Sequence, residues 1–129
     1  MKVLLDTHVV LAIVNDDVGK LPKAVIELLA RSDVQCSVSV ASLWEIAIKS
    51  RLGKLFVSGP VLELDATCEA FAIEILPITA HHVLTGVSPE PPTRDPFDRL
   101  LLAQASVEGL PLVTLDRALI GHPVAWQLA

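Results

Sequence analysis

The chain has 129 residues, a formal net charge of −5, and 52% hydrophobic against 19% charged residues. This length predicts one domain with a substantial core, and the high apolar share excludes an intrinsically disordered chain. The apolar share also favours a further buried surface, such as a subunit interface. The negative charge excludes a chain-wide electrostatic attraction to nucleic acid, although it leaves room for a local basic rim.

The N-terminal stretch MKVLLDTHVVLAIV has only a superficial similarity to a signal peptide. Asp6 and His8 interrupt its apolar region, and no small-residue cleavage site follows. No apolar run in the sequence approaches the length of a membrane span. Cys36 and Cys68 lack the spacing of a metal site and need not form a disulfide. We therefore expect a soluble, cytoplasmic protein with reduced cysteines and no membrane partner.

Short apolar runs alternate with longer helical patterns in the first half of the chain. These patterns predict a strand at Val3–Leu5, a helix over about Thr7–Val14, a helix over 21–32 with Pro22 near its start, and a strand over 34–40. Ser42 then begins a helix over 42–55, which Gly53 can end with a left-handed cap.

The second half continues the alternation. It predicts a helix over 60–72, a strand over 73–78 that Pro77 limits, a helix over 79–87, a Pro-rich surface loop over 88–93, a helix from about residue 95, a strand over 110–115 and a short fifth strand over 124–126. No repeat or long linker divides the chain, so residues 1–129 form a single domain. The alternation predicts an α/β fold with a parallel sheet covered on both faces, in which ligands bind beyond the carboxyl ends of the strands.

The segment RDPFDRLLLAQA, residues 94–105, carries two carboxylates at the start of an apolar helix. Asp95 is a natural N-cap, and Pro96 suits the first helical position. Asp98 falls in the first turn and shares a helical stripe with Leu101, Leu102 and Ala105. A carboxylate on a core-facing stripe is desolvated unless a cation meets it.

Four carboxylates are predicted to meet at one edge of the sheet. Asp6 follows the first strand, Asp116 follows the fourth, and Glu45 lies in the first turn of the helix after the second. Asp98 heads a crossover helix, whose amino end also sits beside the carboxyl edge. Carboxylates this close repel one another and need neutralisation, and hard divalent cations with oxygen ligands are the common solution. Such a site activates water and stabilises charge on a phosphoryl group.

Each carboxylate also has a structural explanation. Asp6 is placed to cap the first helix, Ser42 and Glu45 form an S-x-x-E capping box, and Asp116 can cap the turn that follows it. For any one of these residues alone, capping is the favoured interpretation. The set of four together favours the metal site.

Four stretches resemble PIN-domain ribonucleases of the VapC toxin type: LLDTHVVLA, SVASLWEIAIKSRLGKL, RDPFDRLLLAQA and LVTLDRAL. They occur in the order of that family and span nearly the whole chain. The resemblance implies a PIN-like three-layer α/β/α sandwich around a central parallel sheet of four to five strands. It further implies an endoribonuclease that depends on Mg²⁺ or Mn²⁺, an RNA substrate, and a cognate antitoxin. A homodimer is expected from the high apolar content, and the resemblance also implies one because members of that family commonly form dimers.

By motif position, the resemblance assigns the catalytic and metal-ligating acids to Asp6, Glu45, Asp98 and Asp116. Thr114 matches the hydroxyl residue that often precedes the last acid by two positions. We assign the remaining aspartate, Asp95, to capping and to an i,i+4 pair with Arg99.

Basic residues flank the acids in the sequence. They are candidates for holding the RNA backbone, since Arg makes forked contacts with phosphate, and they comprise Lys49, Arg51, Arg94, Arg99 and Arg117. The alternative for each is an ordinary solvated helix face.

The four histidines, at positions 8, 81, 82 and 122, lack metal-ligand spacing. His8 is close enough to the predicted site to touch a substrate, but an ordinary packed histidine is the favoured interpretation. Trp44 is interpreted as a core or interface residue rather than a platform for base stacking.

Two other function classes compete with the ribonuclease. A phosphotransfer enzyme of the haloacid-dehalogenase type would use Asp6 as a nucleophile within a D-x-D motif, but position 8 is His. A PIN-like binding module without nuclease activity is the other alternative, and the complete set of four acids counts against it.

Overall fold

The protein is described by a computed structural model over residues 1–127, in which four strands alternate with six helices. The strands are β1 (Lys2–Leu5), β2 (Gln35–Ser39), β3 (Ile73–Leu76) and β4 (Leu112–Val113). The helices are α1 (Thr7–Val14), α2 (Lys23–Leu29), α3 (Val40–Arg51), α4 (Leu64–Ala70), α5 (Ala80–Leu84) and α6 (Pro96–Glu108). Two 3₁₀ turns lie at Val18–Lys20 and Val61–Glu63.

The sheet is parallel throughout, and its strand order is β3-β2-β1-β4. Leu5, the last residue of β1, is in register with Val38 of β2 on one side and with Val113 of β4 on the other. The chain adds β2 and β3 on one side of β1 and returns to add β4 on the opposite side. The boundary between β1 and β4 is therefore a topological switch point, the place where parallel α/β sheets bind ligands.

Helices cover both faces of the sheet. Val3 and Leu5 of β1 point into a core that includes buried side chains of α1, α2, α3 and α4. Leu4 points to the opposite face, where it packs with leucines of α6. Because successive side chains of a strand alternate between faces, β1 contributes to both cores. The predicted three-layer α/β/α sandwich is confirmed.

Helix α3 begins two residues earlier than predicted. The Ser39 hydroxyl accepts a hydrogen bond from the backbone N–H of Ala41 at 2.9 Å, so Ser39 is the N-cap and the helix starts at Val40. The predicted start at Ser42 and its capping box with Glu45 are wrong. Ser42 is buried, and its hydroxyl oxygen lies 3.0 Å from the Thr7 hydroxyl of α1 instead. Glu45 consequently lies beyond the first turn, and its carboxylate is not used by the cap.

Strand β4 is shorter than the predicted strand over 110–115. The Thr114 hydroxyl accepts a hydrogen bond from the N–H of Asp116 at 3.0 Å, which turns the backbone away from the sheet after Val113. Two residues, Thr114 and Leu115, therefore separate Asp116 from the end of the strand. The predicted fifth strand over 124–126 is reduced to a single parallel bridge between Leu112 and Ala125.

Several other helices and strands lie where they were predicted, but most of them are shorter than predicted. Helix α1 and the end of β3 before Pro77 agree with prediction, and the left-handed Gly53 (φ 71°) follows the end of α3. The predicted helix over 60–72 is divided into a 3₁₀ turn and α4. The predicted helices over 21–32 and 79–87 shorten to α2 and α5, the latter because Thr79 and His82 form a capping box.

The start of α6 confirms the predicted cap. Asp95 Oδ1 accepts a hydrogen bond from the N–H of Phe97 at 2.8 Å, and Pro96 is the first helical residue. The predicted ion pair between Asp95 and Arg99 is wrong. The Arg99 guanidinium contacts Glu90 and donates its Nε–H to a backbone carbonyl at 3.2 Å, because the Pro-rich loop folds back over the start of α6.

Two further features concern the cysteines and the helices. Cys36 and Cys68 are both free, as predicted. Within residues 1–127, none of the helices combines the length and the apolar character that crossing a membrane requires.

The capping role of Asp95 gives a test on stability. Asp95→Ala removes the acceptor for the N–H groups at the start of α6, so the free energy of unfolding should fall by roughly 0.5–2 kcal/mol. Asp95→Asn should change it little, since Asn caps about as well as Asp. Chemical denaturation measures both. Asp17→Ala is the matched control, because Asp17 occupies a cap position without a capping hydrogen bond. Equal losses for the Asn and Ala variants would contradict the cap.

Candidate active site

Asp6 lies directly after β1 at the switch point, and its side chain is only 5% exposed. Its backbone carbonyl accepts hydrogen bonds from the N–H groups of Val9 and Val10, but its carboxylate makes no capping hydrogen bond. Oδ2 instead accepts a hydrogen bond from the Thr114 hydroxyl at 2.5 Å. The capping explanation for the Asp6 carboxylate is therefore wrong. Burial raises the pKa of Asp6, and the Thr114 hydrogen bond opposes that rise.

Thr114 connects the ends of β1 and β4. Its buried hydroxyl donates to Asp6 and accepts from the N–H of Asp116, so one side chain holds two of the predicted acids. Asp116 Oδ1 accepts a hydrogen bond from the N–H of Ala118 at 2.9 Å, which bears out the predicted capping of the following turn. That cap occupies one oxygen of the carboxylate, and Oδ2 accepts no hydrogen bond from the residues that the structure describes.

Glu45 is held on both of its carboxylate oxygens. Oε1 accepts a hydrogen bond from the Thr7 hydroxyl at 2.6 Å, and Oε2 lies 2.6 Å from Lys49 Nζ, one turn along α3. Glu45 is 6% exposed, so both partners satisfy a buried group. The hydrogen bond with Glu45 raises the pKa of Lys49, and the charges of Asp95 and Asp98 add to that rise.

Asp98 lies in the first turn of α6, where the Thr93 hydroxyl approaches Oδ2 at 3.3 Å. Burial raises the pKa of Asp98 to about 7, with further contributions from the charges of Asp95, Asp116 and Asp6. The carboxylates of Asp116 and Asp6 therefore lie within electrostatic reach of Asp98. The desolvated carboxylate predicted from the helical stripe is present.

The structure thus brings the four predicted acids into one region at the carboxyl edge. Glu45 belongs to the same region, because its charge raises the pKa of Asp6. Two hydroxyl residues escaped prediction. Thr7, which directly follows Asp6, orients Glu45, and Thr93 approaches Asp98. The DT pair in LLDTH was the available signal for the first, whereas nothing in the Pro-rich loop marked the second.

The donor set has the chemistry of a hard divalent cation site, because it consists of carboxylate and hydroxyl oxygens at a point of mutual repulsion. Asp6, Glu45, Asp98 and Asp116 would hold the ion. Among residues 1–127, however, no three His, Cys, Asp or Glu side chains are close enough to form a ready cage. Side-chain adjustment therefore has to accompany the binding of an ion.

The predicted RNA-binding residues have different surroundings. Arg51, Arg94 and Arg117 are exposed and form no ion pair within the described part of the chain. Arg99 is engaged by Glu90, and Lys49 by Glu45.

The histidines and Trp44 are placed as follows. His8 is exposed, so its interpretation as a packed residue is wrong, and its charge lowers the pKa of Asp6. His82 and His122 are buried. Trp44 is 62% exposed and meets the Phe97 ring edge-on, with the ring centroids 5.6 Å apart. A core role for Trp44 is therefore wrong, and an interface role stays a prediction.

Comparison with known families gives a match to the PIN domain over residues 3–122, a range that contains all four acids. The chain belongs to the PIN-domain family. PIN domains are generally metal-dependent nucleases, and the acidic edge lies where the chemistry of such an enzyme is expected. No curated protein is significantly similar to this PIN domain. The family part of the predicted resemblance is confirmed, and the VapC type stays a prediction.

The raised pKa of Asp98 predicts how the stability of the metal-free PIN domain depends on pH. Folded Asp98 releases its proton near pH 7 and unfolded Asp98 near 3.8, so the folded state binds the proton more tightly. Stability should therefore rise as the pH falls through about 7 and level off near 3.8. Asp98→Asn should flatten this rise and increase stability at neutral pH, where it removes a repelled charge.

Chemical denaturation in the presence of chelator, across that pH range, measures the effect. Asp17→Asn is the control, because Asp17 lies beyond the last residue of α1, whereas Asp6 precedes its first, and because Asp17 pairs with Lys20 at 3.7 Å. This control should retain the pH dependence of the wild-type protein. If Asp98→Asn also retained it, a raised pKa of Asp98 would not be the source of the pH dependence.

Proposed function

We propose that this PIN domain is an endoribonuclease that depends on Mg²⁺ or Mn²⁺ and acts as the toxin of a type II toxin–antitoxin pair. The observation that carries the proposal is the gathering of acids at the switch point between β1 and β4. One side chain, Thr114, bonds both Asp6 and Asp116 there, and the charges of these two acids raise the pKa of Asp98. These acids are separated along the chain, and a purely structural role gives no reason to gather them. The VapC-like motifs support the toxin assignment.

The residues of the chain have distinct roles in this proposal. Thr114 fixes Asp6 relative to the end of β4, and Thr7 fixes Glu45 on α3. Asp98 lies at the start of α6 and Asp116 follows β4, so the four acids come from four separate parts of the fold. When bound, the divalent ion lowers the pKa of a coordinated water and neutralises charge at the scissile phosphate. The partial burial of the acids keeps their charges effective, since fewer waters screen them.

The surface beside the acids suits a single-stranded RNA. Arg51, Arg94 and Arg117 are exposed and available for phosphate contacts. Trp44 follows the same edge and exposes 62% of its surface, so an unpaired base can stack on its ring. Sequence-specific recognition of RNA depends on unpaired bases of this kind, whereas the bases of a duplex are stacked and inaccessible.

One alternative retains a supporting observation. A PIN module without nuclease activity fits the lack of a ready metal cage among residues 1–127. The haloacid-dehalogenase alternative has lost its basis, because the match over residues 3–122 assigns the chain to another family.

A cleavage assay separates the nuclease from the non-catalytic module. The purified protein should cut single-stranded RNA with Mg²⁺ or Mn²⁺, lose this activity in excess chelator and regain it when metal is restored. Parallel reactions with single-stranded DNA and small phosphoesters define the substrate class. Undiminished cleavage in chelator would contradict the metal mechanism, and no cleavage of any substrate would favour the non-catalytic module.

The two aspartates at the start of α6 provide a matched pair of variants. Asp98→Asn preserves shape but removes a ligand charge, so the cleavage rate should fall by orders of magnitude while the protein stays folded. Asp95→Asn should retain most of the activity, because the cap survives. Rates are compared per folded molecule at saturating metal. An inactive Asp95→Asn with an active Asp98→Asn would reverse the two assignments.

We further propose a homodimer and a cognate antitoxin as partners in the cytoplasm. The apolar side chains exposed on α3 and α5 support a covered surface, and they include Val40, Val83 and Leu84. Analytical ultracentrifugation should show a dimer, and expression of the protein in bacterial cells should arrest growth unless Asp98→Asn is present. A monomer at all workable concentrations would contradict the dimer, and unimpaired growth with soluble wild-type protein would contradict the toxin role.

A further inference from the structure

Lys49 is the one basic residue whose ammonium group forms an ion pair with a predicted metal ligand within residues 1–127. Its Nζ lies 2.6 Å from Glu45 Oε2, and the two side chains are 35% and 8% exposed. The other Glu45 oxygen accepts the Thr7 hydroxyl, so donors of the chain itself occupy both oxygens of this buried carboxylate. A ligand oxygen that a cation already occupies is not free to bind another.

The surroundings of Lys49 are acidic on a second side as well. Asp95 and Asp98 at the start of α6 act on the same ammonium group through their charges. Lys49 is therefore bonded to the acid of α3 and within electrostatic reach of the acids at the start of α6. The pair of Lys23 and Glu27 shows the contrast: it has the same i,i+4 spacing, but its atoms are 3.8 Å apart and its side chains are 90% and 65% exposed.

We propose that Lys49 is an internal counter-cation, which holds Glu45 in the metal-free protein and leaves it when a divalent ion binds the acidic edge. The inference rests on the proposed metal dependence. A divalent ion brings a larger charge to the same carboxylates and repels the ammonium group. The long lysine stem allows the ammonium to move to solvent, where it can join the basic rim that faces RNA phosphates.

The proposal predicts that removal of the Lys49 charge lowers the stability of the metal-free protein and raises its affinity for a divalent ion. Removing the Lys49 charge leaves Glu45 buried without its cation, which destabilises the metal-free fold. The same change removes a competitor, so divalent ions should bind more tightly. A purely structural ion pair would lower stability with or without metal and would not strengthen metal binding.

The test compares Lys49→Met with Lys23→Met, which breaks the exposed pair of the same spacing. Melting temperatures are measured in chelator and in saturating Mn²⁺, and calorimetry gives the Kd for Mn²⁺. Lys49→Met should melt below the wild-type protein in chelator, approach it in Mn²⁺, and bind Mn²⁺ several-fold more tightly. Lys23→Met should match the wild-type protein in its Mn²⁺ affinity.

An unchanged or weaker Mn²⁺ affinity of Lys49→Met, with metal binding by the wild-type protein intact, would overturn the role of Lys49 alone. Absence of Mn²⁺ binding by the wild-type protein would overturn the proposed metal dependence and this inference with it. The two failures are therefore distinguishable. Lys49→Gln provides a second uncharged variant, which retains a hydrogen-bond donor for Glu45.

A measurement on the wild-type protein avoids any loss of folding in the variants. Lysine acetylation by a small reagent, followed by mass spectrometry, reports how available each ammonium group is. Saturating Mg²⁺ should raise the labelling rate of Lys49 several-fold, because the ion releases it from Glu45, and should leave the rate of Lys23 unchanged. Equal Lys49 rates with and without Mg²⁺ in a protein that binds the ion would overturn the proposal.

Discussion

The hydrogen bond from Thr114 to Asp6 joins the ends of β4 and β1, the two strands that form the topological switch point of the sheet. Parallel strands deliver their carboxyl ends to one edge, and the reversal at β1 and β4 opens the crevice there. Asp6 follows β1 and Thr114 follows β4, and the Thr114 hydroxyl donates a hydrogen bond to Asp6 Oδ2 at 2.5 Å. The same hydroxyl accepts the N–H of Asp116, so the position of a second acid depends on the same side chain.

Concentrated negative charge is the cost of this arrangement, and the chain offsets it locally. Hydroxyl groups of Thr114, Thr7 and Thr93 approach Asp6, Glu45 and Asp98 respectively. Lys49 supplies the one positive charge that is paired with these acids within residues 1–127. Asp98 retains the largest imbalance, since burial and three neighbouring carboxylates raise its pKa to about 7. A site that is poised in this way gains most from an added cation.

Chain direction and helix signals were sufficient to predict the layered sheet and the edge where the acids meet. The cap at Asp95 could be predicted because Pro96 fixes the first helical position. Helix α1 could be predicted because it directly follows a buried strand. The start of α3 could not be predicted, since Ser39 and Ser42 both carry a hydroxyl that can cap a helix. Only the position at which β2 ends decides between them. The partner of Arg99 depends on how the Pro-rich loop folds back, which local spacing does not encode.

The adjacent residues Asp6 and Thr7 connect the separate parts of the candidate site. Asp6 accepts a hydrogen bond from the end of β4, and Thr7 donates one to Glu45 on α3, so two successive side chains face two different elements. Their backbone conformation is set by the change from β1 to α1, where Asp6 is extended and Thr7 begins the helix. The geometry of the acids therefore depends on where α1 begins. A shift of that boundary by one residue would separate Asp6 from Thr114 and Thr7 from Glu45 together. The geometry of the site is therefore tied to the packing of β1 in the interior of the sheet.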